Sequence, residues 1–92
     1  MDSIIRDKLR DIFNKHDQVG IYFGKGINYD EYDQEINGLI IRFKRSKNLE
    51  EFTSEIHTLF INMFDKEIAG QKLKYKKLAK EVYDYLNKVL EY

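Results

Sequence analysis

The sequence has no cysteine, proline or tryptophan, only five glycines, and no net charge. Without cysteine the chain has no disulfide scaffold, no thiolate metal site and no cysteine nucleophile. Sixteen basic side chains balance sixteen acidic ones, whereas a general nucleic-acid binder carries a basic excess. No stretch approaches the roughly 20 apolar residues of a membrane span, and the charged N-terminus lacks the apolar core of a signal peptide. We therefore expect a cytoplasmic protein that does not insert into membranes.

The sequence does contain enough apolar surface for a folded core. Its 92 residues include seven Tyr and six Phe, and burying these rings offsets much of the entropy lost on ordering the chain. A chain of this length is sufficient for one domain and too short for two. We expect a single helical domain over residues 1–92.

Four segments repeat apolar residues at the spacing of a helix face, which predicts four amphipathic helices. Ser3 is a favoured N-cap residue for the first helix. In two capping-box patterns an Asn is followed three residues later by a Glu, and these predict the starts of the second and third helices. The two pairs are Asn28 with Glu31 and Asn48 with Glu51. Four helices with short connections predict an all-α fold, a small four-helix bundle.

The connections between these helices have distinct compositions. Three of the five glycines lie between Gly20 and Gly26, which predicts one glycine-containing loop after helix 1. The apolar residues 19–23 are typical of a strand, but a lone strand would have nothing to pair with. The basic run 42–47 suits the negative C-terminal end of the second helix, and Gly70 is expected to end the third.

The strongest local feature is an acidic run with tyrosines between the acids: Tyr29, Asp30, Glu31, Tyr32, Asp33 and Glu35. One interpretation is that these acids complement the positive end of the second helix and are otherwise solvated. Another is a surface that docks a basic partner, because rigid aromatic side chains and charge together give fast and specific association. A carboxylate metal site fits poorly, since the spacing lacks the alternation and the glycine of an EF-hand. We expect no metal and no cofactor.

Neither histidine lies beside a credible nucleophile. His16 precedes Asp17 at the end of the first helix, and His57 lies in the third helix next to its apolar stripe. A His–Asp pair alone is only part of a catalytic arrangement. The glycines between residues 20 and 26 lack the Gly-Lys-Ser/Thr ending of a phosphate-binding loop. We therefore expect no catalytic residues and no enzymatic activity.

Nucleic-acid binding is a possible role for two basic clusters, 42–47 and Lys72–Lys80. Lysines neutralise phosphates, and Tyr75 within the second cluster is a candidate for stacking on a base. Overall neutrality and the acidic run favour solvated helix ends instead. A nucleic-acid-binding regulator that uses the Lys72–Lys80 helix is kept as an alternative function, and a structural or homodimeric helical subunit is a third.

The loop and the start of the second helix share a pattern with a known group of proteins. The sequence has His16-Asp17-Gln18-Val19-Gly20, then Asp30-Glu31-Tyr32-Asp33 and Ile36. This resembles the Trp-Asp-Pro-x-Gly … Asp-Glu-Tyr-Asp pattern of small helical bacterial proteins, some of which look like immunity proteins of contact-dependent or other polymorphic toxin systems. Here His16 replaces the usual Trp and Gln18 the usual Pro. The resemblance spans about residues 10–45 and implies a four-helix fold without a catalytic role.

The resemblance and the acidic run lead to one functional hypothesis. The protein is expected to be an immunity protein that neutralises a cognate bacterial toxin domain, a basic nuclease, by placing an acidic, Tyr-bearing surface against its substrate cleft. The expected contact residues are Tyr29, Asp30, Glu31, Asp33 and Glu35, with Asp17 and Tyr22 at the margin. In the alternative structural interpretation, Asp17 and Asp33 cap backbone amides of the glycine loop.

Overall fold

The computed structural model describes residues 3–18, 20, 29–30 and 32–90. Within these ranges all regular structure is helical and there is no strand, which confirms the all-α prediction. The elements are α1 (Ser3–His16), α2 (Asp33–Asn37), α3 (Leu39–Arg45), α4 (Leu49–Phe64), α5 (Lys66–Ala69), a 3-10 turn (Lys72–Tyr75) and α6 (Lys76–Leu90). The described ranges thus contain six α-helices where four were predicted.

The predicted second helix is divided into α2 and α3 at Gly38. This residue has φ −98° and ends α2, and its N–H donates to the carbonyl of Ile36. Glycine has a low helix propensity because ordering its backbone costs more entropy. The apolar stripe nevertheless stays on the core side, since Leu39 and Phe43 of α3 are buried like Ile36. The described helix begins at Asp33, and the capping box predicted at Asn28 and Glu31 lies outside the described residues.

The predicted third helix ends earlier than expected. Asp65 has φ +118°, which stops α4 at Phe64. The Asp65 carboxylate then accepts a hydrogen bond from the Ile68 N–H at 2.8 Å and caps α5. Gly70, with φ +77°, ends α5 rather than α4. Glycine is favoured there because a left-handed backbone is strained for residues with a Cβ atom.

The second predicted capping box is present at the start of α4. The Glu51 N–H donates to the Asn48 side-chain oxygen at 2.9 Å. The Glu51 carboxylate accepts from the backbone N–H of Lys47 at 2.9 Å, one residue before the usual position. Thus the sequence pattern places this helix start correctly, and α4 runs for 16 residues from there.

The core lies where α1, α4 and α6 meet, with α2 and α3 packed against them. Phe60 of α4 is at its centre. The Phe60 ring lies 4.9 Å from the Tyr75 ring, 6.1 Å from both the Phe13 and Tyr32 rings, and 5.7 Å from the Phe64 ring, centroid to centroid. The Phe60 side chain of α4 therefore contacts α1 through Phe13 and the 3-10 turn through Tyr75. It also contacts Tyr32, the residue directly before α2. None of the helices in the described ranges has both the length and the apolar character needed to cross a bilayer.

Candidate partner-binding site

Tyr29 is held on the outer face of α1. Its hydroxyl lies 2.9 Å from the Asp11 carboxylate and 3.0 Å from the backbone carbonyl oxygen of Asp7, and it can donate to either. Asn14 donates to the Tyr29 carbonyl at 2.8 Å, and the Arg10 guanidinium lies 5.4 Å from the ring centroid. Burial, reinforced by the hydrogen bond to Asp11, raises the pKa of Tyr29 to about 12. The hydroxyl, the carbonyl and the ring of Tyr29 are therefore all in contact with side chains or backbone of α1.

Asp33 lies among cations from α1. Arg10 forms two parallel hydrogen bonds to its carboxylate, at 2.8 and 2.6 Å, and Arg6 lies 3.6 Å away. The hydrogen bond from Arg10 holds the pKa of Asp33 below its ordinary value. Arg6 and Arg10 reach the same carboxylate because they are one helical turn apart. The spacing of Arg6 and Arg10 is visible in the sequence, but their pairing with an acid 23 residues from Arg10 is not.

Two further predicted contact residues are withdrawn from solvent, Glu35 almost fully and Asp17 in part. Glu35 is only 3% exposed. Asp17 follows α1 with φ +42° and accepts a hydrogen bond at 2.7 Å from the hydroxyl of the buried Tyr32. This hydrogen bond supports a structural role for Asp17.

Asp30 is exposed at the mouth of an open cleft of about 410 Å³ between the start of α2 and the end of α4. The cleft is lined by Asp30, Asp33, Gln34, Glu35, Met63 and Phe64. One wall is acidic and polar, whereas the other is apolar, and Met63 is 39% exposed. A long basic side chain is complementary to this arrangement, because its aliphatic stem packs on apolar atoms while its cation pairs with a carboxylate. The predicted contacts Glu31 and Tyr22 lie outside the described residues.

Both histidines bridge helical elements. His16 lies 2.9 Å from the Glu81 carboxylate of α6, which Lys15 also approaches at 2.6 Å. Hydrogen bonds, chiefly from Lys15, hold the pKa of Glu81 below its ordinary value. The His57 ring lies 2.8 Å from the Gly70 carbonyl oxygen and donates to it through Nε2. Across the described residues, no three His, Asp or Glu side chains are grouped so as to hold a metal ion.

Both basic clusters form ion pairs with acidic residues of α4. Lys72 pairs with Glu50, and Arg42 and Arg45 pair with Glu55 at 3.2 and 2.5 Å. Tyr75, the candidate for base stacking, is 0% exposed and donates its hydroxyl hydrogen to the Ala69 carbonyl. Burial raises the pKa of Tyr75 to about 12. Because its ring is in the core, it is not available to stack on a nucleic-acid base.

Comparison with protein-family models, with curated proteins and with solved structures gives no match.

Proposed function

We propose that this protein is an immunity-type inhibitor that acts in the bacterial cytoplasm by binding a cognate toxin domain, a basic nuclease. The observation that supports the proposal best is the cleft between α2 and α4, because its acidic and apolar walls complement a lysine or arginine side chain. The resemblance of residues 10–45 to immunity-like proteins points to the same class. In this proposal the protein performs no chemistry of its own.

The proposed contact surface is centred on Tyr29 and Asp30. Tyr29 supplies a ring already fixed by Asp11 and by the Asp7 carbonyl, so little side-chain entropy is lost on binding. Asp7 and Asp11 are exposed and extend the acidic surface along α1. The residues near the centres of protein interfaces that contribute most to affinity are often rigid aromatics. Asp33 contributes indirectly, because its pairing with Arg10 fixes the start of α2.

The first test is to identify the partner and then reverse one charge. A tagged form of the protein should capture a near-stoichiometric toxin domain from its native cell. We expect Asp30→Lys to weaken binding to that domain by about tenfold or more, because it places a cation at the site of the partner's basic side chain. Isothermal titration calorimetry at two salt concentrations measures the loss.

Asp84→Lys is the matched control. It makes the same change in charge at an exposed position of α6, where Asp84 forms a surface pair with Lys80. Its affinity for the toxin domain should remain within about twofold of the original value. Equal affinity of the Asp30→Lys variant, with an unchanged circular dichroism spectrum, would remove this surface from the proposal. Capture of no protein partner would contradict the function itself.

The apolar wall of the cleft gives a second, independent test. We expect Met63→Ser to weaken toxin binding by about threefold to tenfold, since the stem of the basic side chain loses its apolar contact. Met63 is partly exposed on α4, so the fold should tolerate the change. An effect of Asp30→Lys without any effect of Met63→Ser would place the partner on the acidic rim and outside the cleft.

A further inference from the structure

A second groove lies at the other end of α4. It has a volume of about 370 Å³ and is lined by Leu49, Glu50, Thr53, Lys72, Leu73 and Lys76. At 1.5 Å per helical residue, the step of 13 positions from Glu50 to Met63 places this groove about 20 Å along α4 from the acidic cleft. The two surfaces are therefore separate, and a small partner bound at one does not reach the other.

Leu73 is the apolar feature of this groove. Its side chain is 76% exposed, because the 3-10 turn directs Tyr75 into the core and leaves Leu73 outside. Leu49 of α4 lines the same groove and is half-buried. A recess with one exposed and one half-buried leucine provides a place for an apolar side chain of a ligand.

The rim of the groove is basic. Lys72 and Lys76 line it, and the exposed Lys74 and Lys77 lie beside them in sequence. Glu50 is the acid in the lining, and it pairs with Lys72. Lys72 holds the pKa of Glu50 below its ordinary value through this hydrogen bond, and Lys76 contributes through its charge. The groove thus already holds one carboxylate against its lysines.

We propose that this lysine groove binds a short acidic peptide segment of a partner protein. An apolar side chain of the segment packs against Leu49 and Leu73, and neighbouring carboxylates pair with Lys72 and Lys76. The carboxylate of Glu50 occupies one of these positions in the free protein. The proposal is independent of toxin binding, because it concerns a ligand of opposite charge at the other end of α4.

The groove favours a peptide over nucleic acid for two reasons. Among the described residues, the lining contains no aromatic ring, and Tyr75 is buried, so these residues offer no ring for the stacking that contributes strongly to single-strand binding. A recess between two leucines fits one apolar side chain, which sugar and phosphate do not provide.

A variant of Glu50 distinguishes a groove that binds a ligand from one that has only a structural role. If the Glu50 carboxylate competes with the ligand for Lys72, Glu50→Gln should tighten peptide binding by about threefold to tenfold. Glu50 is exposed in the first turn of α4, so its replacement by an isosteric amide should leave the fold intact. Leu73→Ser and Lys76→Glu should each weaken binding by about tenfold.

The experiment uses fluorescence anisotropy with a fluorescein-labelled peptide, Gly-Asp-Glu-Leu-Asp-Glu-Leu-Gly. The peptide Gly-Asn-Gln-Leu-Asn-Gln-Leu-Gly tests the need for charge. Two matched protein controls alter exposed residues of α5: Ile68→Ser for Leu73→Ser, and Lys66→Glu for Lys76→Glu. We expect saturable binding of the acidic peptide, none of the amide peptide, and unchanged affinity in both controls.

Several outcomes would overturn the proposal. These are equal binding of both peptides, no binding of the acidic peptide up to about 1 mM, and equal weakening in the control variants. Stronger binding of labelled oligothymidine, or of vesicles containing phosphatidylserine, would assign the groove to another ligand. Concentration-dependent self-association that Leu73→Ser abolishes would assign it to a second copy of this chain. Circular dichroism confirms that each variant is folded before it is compared.

Discussion

At the scale of single residues, the pair between Arg10 and Asp33 joins α1 to α2. Both side chains are about one-quarter exposed, and two parallel hydrogen bonds connect them. A bidentate contact between a guanidinium and a carboxylate is among the stronger hydrogen-bonding arrangements in proteins. The pair also neutralises one acid of the run at 29–35, so Asp30 is the exposed acid among the described residues of that run.

We expect Arg10→Gln to lower the free energy of unfolding by about 1–2 kcal/mol at pH 7. The pKa of Asp33 is lower in the folded state than the unfolded value near 4. Its stabilising contribution is therefore fully present above that unfolded value and is lost as the pH falls through the folded pKa. Urea unfolding of both proteins should show their difference shrinking towards pH 2.

Asp84→Asn is the control for this ion pair. It breaks an exposed pair with Lys80 on α6, and we expect a change of less than about 0.5 kcal/mol. A difference between the original protein and the Arg10→Gln variant that stayed constant from pH 7 to pH 2 would contradict a charge-based role for the pair. In that case Arg10 would stabilise the fold mainly by packing against Tyr29.

At the scale of elements, local patterns predicted some helix boundaries and missed others. The start of α4 followed from Asn48 and Glu51, because a capping box is encoded within four residues. The end of α4 was not predicted, because Asp65 stops the helix through a positive φ, and an aspartate in the sequence does not indicate that conformation. The glycine itself was the only sequence signal for the division at Gly38. Because a helix interior can tolerate a single glycine, that signal did not predict the break.

The candidate site was predictable in part for a related reason. The sequence placed Tyr29 and Asp30 next to each other, but the apolar wall of the cleft comes from Met63 at the far end of α4. Likewise, the burial of Glu35 depends on how α2 packs, and the local charge pattern does not predict that packing. Contacts between residues distant in sequence depend on tertiary packing, and one sequence without its relatives records that packing weakly.

Asp65 provides the test at this scale. Its φ of +118° favours glycine, while its carboxylate caps α5 by accepting from the Ile68 N–H. Asp65→Ala keeps the strained backbone and loses the cap, so we expect a loss of about 1–2 kcal/mol in the free energy of unfolding. Asp65→Gly also loses the cap but relieves the strain, and should remain within about 0.5 kcal/mol of the original protein.

Chemical denaturation of the two variants side by side measures the contrast at Asp65. If the glycine variant were as unstable as the alanine variant, relief of backbone strain would not contribute at this position. The capping hydrogen bond to Ile68 would then account for the whole effect.

At the scale of the whole molecule, the aromatic cluster around Phe60 makes the helices depend on one another. Phe60→Ala removes the ring that contacts Phe13, Tyr32 and Tyr75, and should cost about 3–5 kcal/mol. Because domains are stable by only about 5–15 kcal/mol, that is a large part of the total. Phe60→Leu retains most of the apolar volume and should cost less than half as much.

Far-ultraviolet circular dichroism and tyrosine fluorescence during urea unfolding check this expectation. If Phe60 joins the elements into one domain, both signals should change in a single coincident transition, which Phe60→Ala shifts to lower urea. Two separate transitions, with only one of them shifted, would mean that α1 and α2 unfold independently of the rest.

The position of the acidic cleft and the lysine groove at opposite ends of α4 has a consequence for encounter with other molecules. The protein has no net charge, so a distant charged body neither attracts nor repels it as a whole. The opposite charges of these two surfaces form a local dipole, on which that body exerts a torque that turns Asp30 towards positive surfaces and Lys76 towards negative ones. Salt, by shortening the range of this field to about a nanometre at physiological strength, would randomise the angle of approach and leave the frequency of collisions almost unchanged.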